Sequence, residues 1–332
     1  MNLIEINNNF PTELEAIQFF EKARWGKKPK CIFCGSDSLS KRNKDYRFHC
    51  LKCDKSFSVT SNTHLHSTRI PLKTWLYAFA IVSDAKKGVS AKQLERNLGI
   101  HYETAWNMAH KIRDLMIIEN DQIELSGILE MDETYIGGKP RKFNTGETQK
   151  PENKTIIPEL DKEIALYKEA GIKFKRGKGN QARPDENPKR GRGTDKFKVA
   201  GIVQRNGDVI AEVMKNLSYS DLKKLVNKYV DKEDSVMITD EYKGYNKFNN
   251  IIEHIRIDHE RLYSYKGVNT NSIESFWAIV KRGIIGQYHQ VSLQYLPKYI
   301  AEFVFKYNNR NNDDMFETLV KNSMIHLKPL NR

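Results

Sequence analysis

Residues 126–138 read SGILEMDETYIGG, and this stretch decides the fold. Apolar and polar side chains alternate along it, and a Gly-Gly pair ends it, the pattern of a strand closing on a turn. With Ile128 and Met131 buried, Glu130 and Asp132 lie on one face and Glu133 on the other. Downstream, FKVAGIVQRNGDVIAEVMKN (197–216) sets two β-branched runs around Asn206 and Gly207, a tight hairpin. SYSDLKKLVNKYV (218–230) is an amphipathic helix opening at a serine cap. SVMITDEYKGY (235–245) is a buried strand that delivers Asp240 at its C-terminal end, and IIEHIRI (251–257) is another short strand.

Strand, hairpin, helix, strand, strand and further helices predict a mixed sheet covered by helices, the ribonuclease H-like architecture. The next cluster is NTNSIESFWAIVKRGIIGQYH (269–289). On a helix, Asn271, Glu274 and Lys281 project from nearly one face, while Ile273, Phe276, Trp277 and Val280 form the packed side. Displacing a phosphodiester requires neutralising charge on the attacking and leaving oxygens, which two magnesium ions about 3.5–4 Å apart do. Hard cations take carboxylate oxygens, and Asp132, Asp240 and Glu274 supply them from two strands and a helix. The nucleophile is then water or a 3′ hydroxyl, and Lys281 orients a phosphate. Each residue also has a structural reading. An Asp at a strand end forms a turn, Asn271-Ser-Ile-Glu274 matches a capping box, and Lys281 is solvated.

All four cysteines lie near the N-terminus. Cys31, Cys34, Cys50 and Cys53 make two Cys-x-x-Cys pairs, so two knuckles converge on one tetrahedral structural zinc. Tyr46 to His49 alternate like a strand, with Phe57 to Thr60 as partner, as in a zinc ribbon too small to fold without metal. His49, His64 and His66 are surface residues, since four sulfurs complete the site. PLKTWLYAFAIVS (71–83) is a core helix. In GVSAKQLERNLGIHYETAWNMAHKIRDLM (88–116), Ser90 caps a helix through Leu98, Gly99 turns the chain, and a second helix starts near Tyr102. This helix-turn-helix presents Tyr102, Glu103, Thr104, Asn107 and His110 outward to base edges, with Ala105, Met108 and Ile112 inward. A plain two-helix packing is the alternative.

At 332 residues the chain predicts an α/β multidomain protein. The expected parts are an N-terminal region with the zinc ribbon (1–66), a helical DNA-binding domain (67–120) and a catalytic domain (121–332) interrupted by a basic insertion at about 140–195. That insertion is Lys-, Arg-, Gly- and Pro-rich, with an internal helix at PELDKEIALYKEAG (158–171); it is either an arm that orders on DNA or a solvated segment. The net charge of +13 favours a polyanionic partner, nucleic acid first. No apolar run reaches a membrane span and no signal peptide pattern is visible, so an intracellular, cytoplasmic or nucleoid-associated protein is expected, with no membrane partner.

The set CIFC (31–34), CLKC (50–53), EMDETYIGGKPR (130–141), TDEYKGY (239–245), NTNSIESFWAIVKRGIIGQYH and EFVFKYNNR (302–310) resembles the ISXO-like insertion-sequence transposases, a DDE branch with an N-terminal zinc ribbon. The resemblance implies a ribonuclease H-like catalytic domain, Mg²⁺ or Mn²⁺ dependence and transposition without a covalent protein–DNA intermediate. It also implies double-stranded DNA as partner, as terminal inverted repeats and target, and a homo-oligomer assembled on that DNA. Carried over, Asp132 and Asp240 are the first two metal carboxylates. The family pattern of Asp, Asp, Asn, Lys, with Glu as a variant, leaves the third place to Glu274 or Asn271 and gives the cation to Lys281. Relatives often show His-Thr-Asn where this chain has Asn269, Thr270 and Asn271. The alternative function is a zinc-dependent DNA-binding regulator, derived from a transposase and without catalysis.

Overall fold

The computed structural model describes residues 1–42, 44–120, 123–137, 196–257, 270–312 and 314–327. The basic insertion, its internal helix and Asn269 lie outside the described residues. Met1–Gly137 and Phe197–Arg332 form one compact unit.

The sheet that positions the site has five strands: β4 (Leu125–Ile136), β5 (Phe197–Gln204), β6 (Val209–Met214), β7 (Val230–Thr239) and β8 (Glu253–Arg256). Their spatial order is β6-β5-β4-β7-β8. β4, β5 and β6 pair antiparallel, and β7 and β8 join β4's other side in parallel. Counted within the sheet the order is 3-2-1-4-5, the mixed ribonuclease H-like arrangement. The β5–β6 hairpin turns at Asn206, which takes a left-handed φ of 59°, a conformation asparagine tolerates better than most residues. Helix α6 (Tyr219–Tyr229) follows, capped by Ser218 as its sequence implies.

Helix α7 (Asn271–Gly283) lies on the face of the sheet that carries Glu130 and Asp132. Its buried side is Ile273, Phe276, Trp277 and Val280, as the helical spacing predicts. Gly201, opposite Asp132 across the β4–β5 pair, is the notch that admits this helix. A Cβ there would stand 2.8 Å from a ring carbon of Trp277. Ile128 departs from expectation: it is 47% exposed, and its neighbours Leu129 and Met131 are the apolar residues buried at this point of β4. The alternation that places Glu130 and Asp132 together therefore holds with Ile128 on their side.

The N-terminal half has its own helical core. Helices α1 (Leu3–Asn9), α2 (Glu13–Trp25), α3 (Leu72–Asp84), α4 (Ala91–Leu98) and α5 (Tyr102–Asn120) bury Ile6, Phe20, Trp75, Phe79, Leu94 and Ile112. Ser90 caps α4 and Gly99 ends it in the left-handed region, at φ 64°. Helix α8 (Leu296–Asn308) joins this half to the sheet. Phe303 packs in the sheet core, whereas Phe305, two residues on, packs in the helical core together with α9 (Met315–Ser323).

Between the two cores α8 buries Glu302 and Lys306 against Arg113 of α5. Arg113 Nε and Lys306 Nζ donate to the Glu302 carboxylate at 2.8 and 2.6 Å, and the Tyr288 hydroxyl donates at 2.9 Å. His110 belongs to this interior and not to an outward face. It is 5% exposed, with its ring centroid 4.2 Å from Trp106 and 4.6 Å from Tyr295. The single-stripe reading fails because α5 packs on two sides, against α4 and against α8, so residues beyond one helical stripe are covered. Burial, then Arg113 and Lys298, push the His110 imidazole down to about 4, so it is neutral.

Candidate active site

In the ribbon, β1 (Leu39–Lys41), β2 (Phe48–Cys50) and β3 (Ser56–Phe57) form an antiparallel sheet, with Phe48 opposite Phe57. The sequence reading found β2 and β3 and missed β1. Tyr46 has φ 53°, so it turns the chain ahead of β2 and does not begin the strand. Trp25, Phe48 and Phe57 surround the cysteines. The four sulfurs lie within 4.8 Å of one another, and the Cys31–Cys53 and Cys34–Cys50 pairs are each 3.6 Å apart. Four thiolates about 2.3 Å from one tetrahedral ion stand roughly 3.8 Å apart, so the donor set fits structural zinc. His49 is held by Asp54 and Ser56 beside this set and does not belong to it.

The carboxylates come together at the sheet. β4 and β7 run parallel with Met131 opposite Thr239, so Asp132 and Asp240 are the next residues along both chains, where β7 ends and β4 continues. Asp240 Oδ1 accepts from the Tyr242 backbone N–H at 2.9 Å, which fixes the turn after β7. Glu274 is exposed in the first turn of α7, and Asn271 is exposed at its first position. The helix cap is Thr270, one residue before the Asn271 of the capping-box reading, and its hydroxyl donates to Glu274 Oε1 at 3.0 Å. Lys281 is exposed two turns further along.

Burial foremost, then the charges of Glu133, Asp240 and Glu274, push the Asp132 carboxyl up to about 7. A buried carboxyl crowded by other carboxylates is an electrostatic setting that suits divalent cations. Among the described residues, only the cysteines converge on a point as one ion's ligands do; the carboxylates share a field over a wider spacing.

Two residues in this region escaped the sequence reading of function. Tyr245, fully buried, donates its hydroxyl to Glu133 Oε2 at 2.8 Å, so Glu133 is held on the far side of the strand from Asp132. Glu130, also fully buried, is bound by Arg205 and by the start of α7. Alternation with Asp132 was the available signal for Glu130, whereas its partners come from distant segments. Of the expected base-reading residues, Tyr102 and Asn107 are exposed on α5, Thr104 is half-buried and His110 is buried.

No curated protein matches the sequence. The pre-cleavage Mos1 transpososome aligns at 11% identity over 76% of this chain and 79% of that one, with a TM-score of 0.27. The Mos1 strand transfer complex gives the same identity and shares, with a TM-score of 0.25. Family models are decisive: a transposase zinc-ribbon domain matches residues 11–56, and an ISXO2-like transposase domain matches 168–308. The second match contains Asp240, Asn271, Glu274 and Lys281 and starts after Asp132, whose place rests on the strand register. With ribbon and mixed sheet in that order, the chain carries a transposase zinc-ribbon domain followed by an ISXO2-like transposase domain.

Proposed function

We propose that the protein cuts and joins DNA strands at the ends of a mobile element, using Asp132, Asp240 and Glu274 as ligands to divalent metal ions. The observation that carries this reading is the adjacency of Asp132 and Asp240 on neighbouring parallel strands, where burial first, and then the charges of Glu133, Asp240 and Glu274, raise Asp132 to about 7. Mg²⁺ or Mn²⁺, when bound, supplies charge neutralisation at the attacking and leaving oxygens. Asp132 and Asp240 hold their place through the β4–β7 pairing, and Glu274 and Asn271 through the first turn of α7. We favour Glu274 over Asn271 as third ligand, because a carboxylate binds a hard cation more strongly than an amide oxygen. Lys281, on the same face, contacts a phosphate.

Recognition of double-stranded DNA falls to the ribbon and to the exposed start of α5, where Tyr102, Thr104 and Asn107 remain candidates for base contact. A homo-oligomer on DNA would pair two element ends. The test uses full-length protein, Mg²⁺ and the DNA that flanks the coding region. Wild type should nick at the element boundary, and Asp132→Ala and Asp240→Ala should bind the same DNA without nicking. Undiminished cleavage by Asp132→Ala would sink the site. Specific binding with no metal-dependent strand chemistry in wild type would favour the DNA-binding regulator.

A further inference from the structure

Glu130 stands two residues before Asp132 on the same face of β4, yet it is fully buried and turned to a different use. Its Oε2 accepts the backbone N–H groups of Ser272 at 2.8 Å and Ile273 at 3.1 Å. Its Oε1 accepts the Ser272 hydroxyl at 3.1 Å and Arg205 Nε at 2.8 Å. Thr270, the residue at the cap of α7, makes no side-chain bond to these N–H groups. The start of the helix is therefore satisfied by a carboxylate from the sheet, which also complements the positive end of the helix dipole. The bond to Ile273 is one residue from Glu274, and Glu130 is two residues from Asp132. One side chain thus spans the strand and the helix that carry the proposed ligands.

We infer that Glu130 is a positioning residue: it locks the first turn of α7 to β4 and thereby sets the spacing between Glu274 and Asp132 at which a divalent cation is held. This rests on the metal-site reading proposed above. Arg205 balances the Glu130 charge, so Glu130 remains committed to the helix and does not become a further ligand. The Gly201 notch under Trp277 fixes the same helix from its middle, which leaves its first turn as the part that Glu130 governs.

The test measures Mn²⁺ affinity by titration calorimetry on full-length protein freed of catalytic metal, well below each variant's melting temperature. Glu130→Gln keeps the size of the side chain and loses its charge; its affinity should fall about tenfold or more, the usual cost of removing an outer-shell partner. Ser272→Ala removes a single hydroxyl bond to that carboxylate, should lower the melting temperature only slightly, and should bind Mn²⁺ about twofold more weakly. Without metal, amide exchange at Ser272 and Ile273 should quicken in Glu130→Gln. A merely structural role would lower the melting temperature and leave Mn²⁺ affinity at its wild-type value in both variants; that result overturns the inference. Asp132→Asn separates the two readings. Loss of Mn²⁺ binding there, with wild-type affinity in Glu130→Gln, rejects the positioning role alone, whereas wild-type binding by Asp132→Asn rejects the metal site and the positioning role with it.

Discussion

At the scale of single residues, the raised Asp132 carboxyl makes a prediction about stability. Its folded value of about 7 lies above the ordinary 3.8, so the native state holds a proton that the unfolded chain releases between those values. Stability without catalytic metal should therefore fall as pH rises from about 4 to about 7, by an amount on the order of a few kcal/mol. Asp132→Asn removes this cost. It should melt several degrees above wild type at pH 8 in metal-free buffer and show little advantage at pH 4, as scanning calorimetry at the two pH values would reveal. Mn²⁺ should narrow the gap at pH 8 by stabilising wild type alone. The same titration implies metal binding that strengthens as pH rises through about 7. Asp132 and Asp240 were legible in the sequence because strand alternation and a strand end are local patterns. Glu130 was visible only as a neighbour: its role depends on Arg205 and Ser272, 75 and 142 residues away, and no local period encodes such a meeting. His110 misled for a related reason, since a helical period gives a face but not the number of neighbours that cover it.

Among elements, α3 and α7 share a device. Neither has a side-chain cap of its own, and each start is satisfied by a carboxylate from elsewhere: Glu13 accepts from the Leu72 and Lys73 N–H groups, and Glu130 from those of Ser272 and Ile273. Helices α1, α2, α4 and α6 carry local caps at Asn2, Thr12, Ser90 and Ser218. The starts of α4 and α6 were accordingly readable from sequence, whereas the acids that cap α3 and α7 were not. The ribbon is the element most dependent on metal, because its strands are two or three residues long and its core is four aromatic rings around sulfur. Atomic absorption should find about one zinc per chain in the wild type and none in Cys31→Ser, whose ribbon should unfold while near-ultraviolet and amide-exchange signals of the sheet persist. A zinc-free ribbon that kept its exchange protection would contradict this.

For the whole molecule, the buried group of Arg113, Glu302, Lys306 and Tyr288 is what α5 and α8 share, and it continues into the π-helical turn 284–288 that extends α7. Although burial opposes ionisation, Lys306 and Arg113 hold Glu302 below the ordinary carboxylate range. Glu302→Gln would leave two buried cations without their counter-charge and should cost about 3–5 kcal/mol, read as a lower denaturant midpoint. The net charge of +13 makes a different prediction: DNA affinity should decline steeply and linearly in log–log plots against salt concentration, whatever the DNA sequence. The packing of α9 bears on how the chain is made. Phe316, Leu319, Val320 and Met324 fill the helical core whose other buried members come from the first 116 residues and from Phe305, and Leu327 bonds back to Asn62. A ribosome delivers those closing residues after the rest of that core, so the N-terminal core seals only after Asp132, Asp240 and Glu274 have been synthesised. A nascent chain stopped near residue 300 should accordingly remain open to protease across α3 to α5, and partial translation products should be cleared rather than compete for DNA.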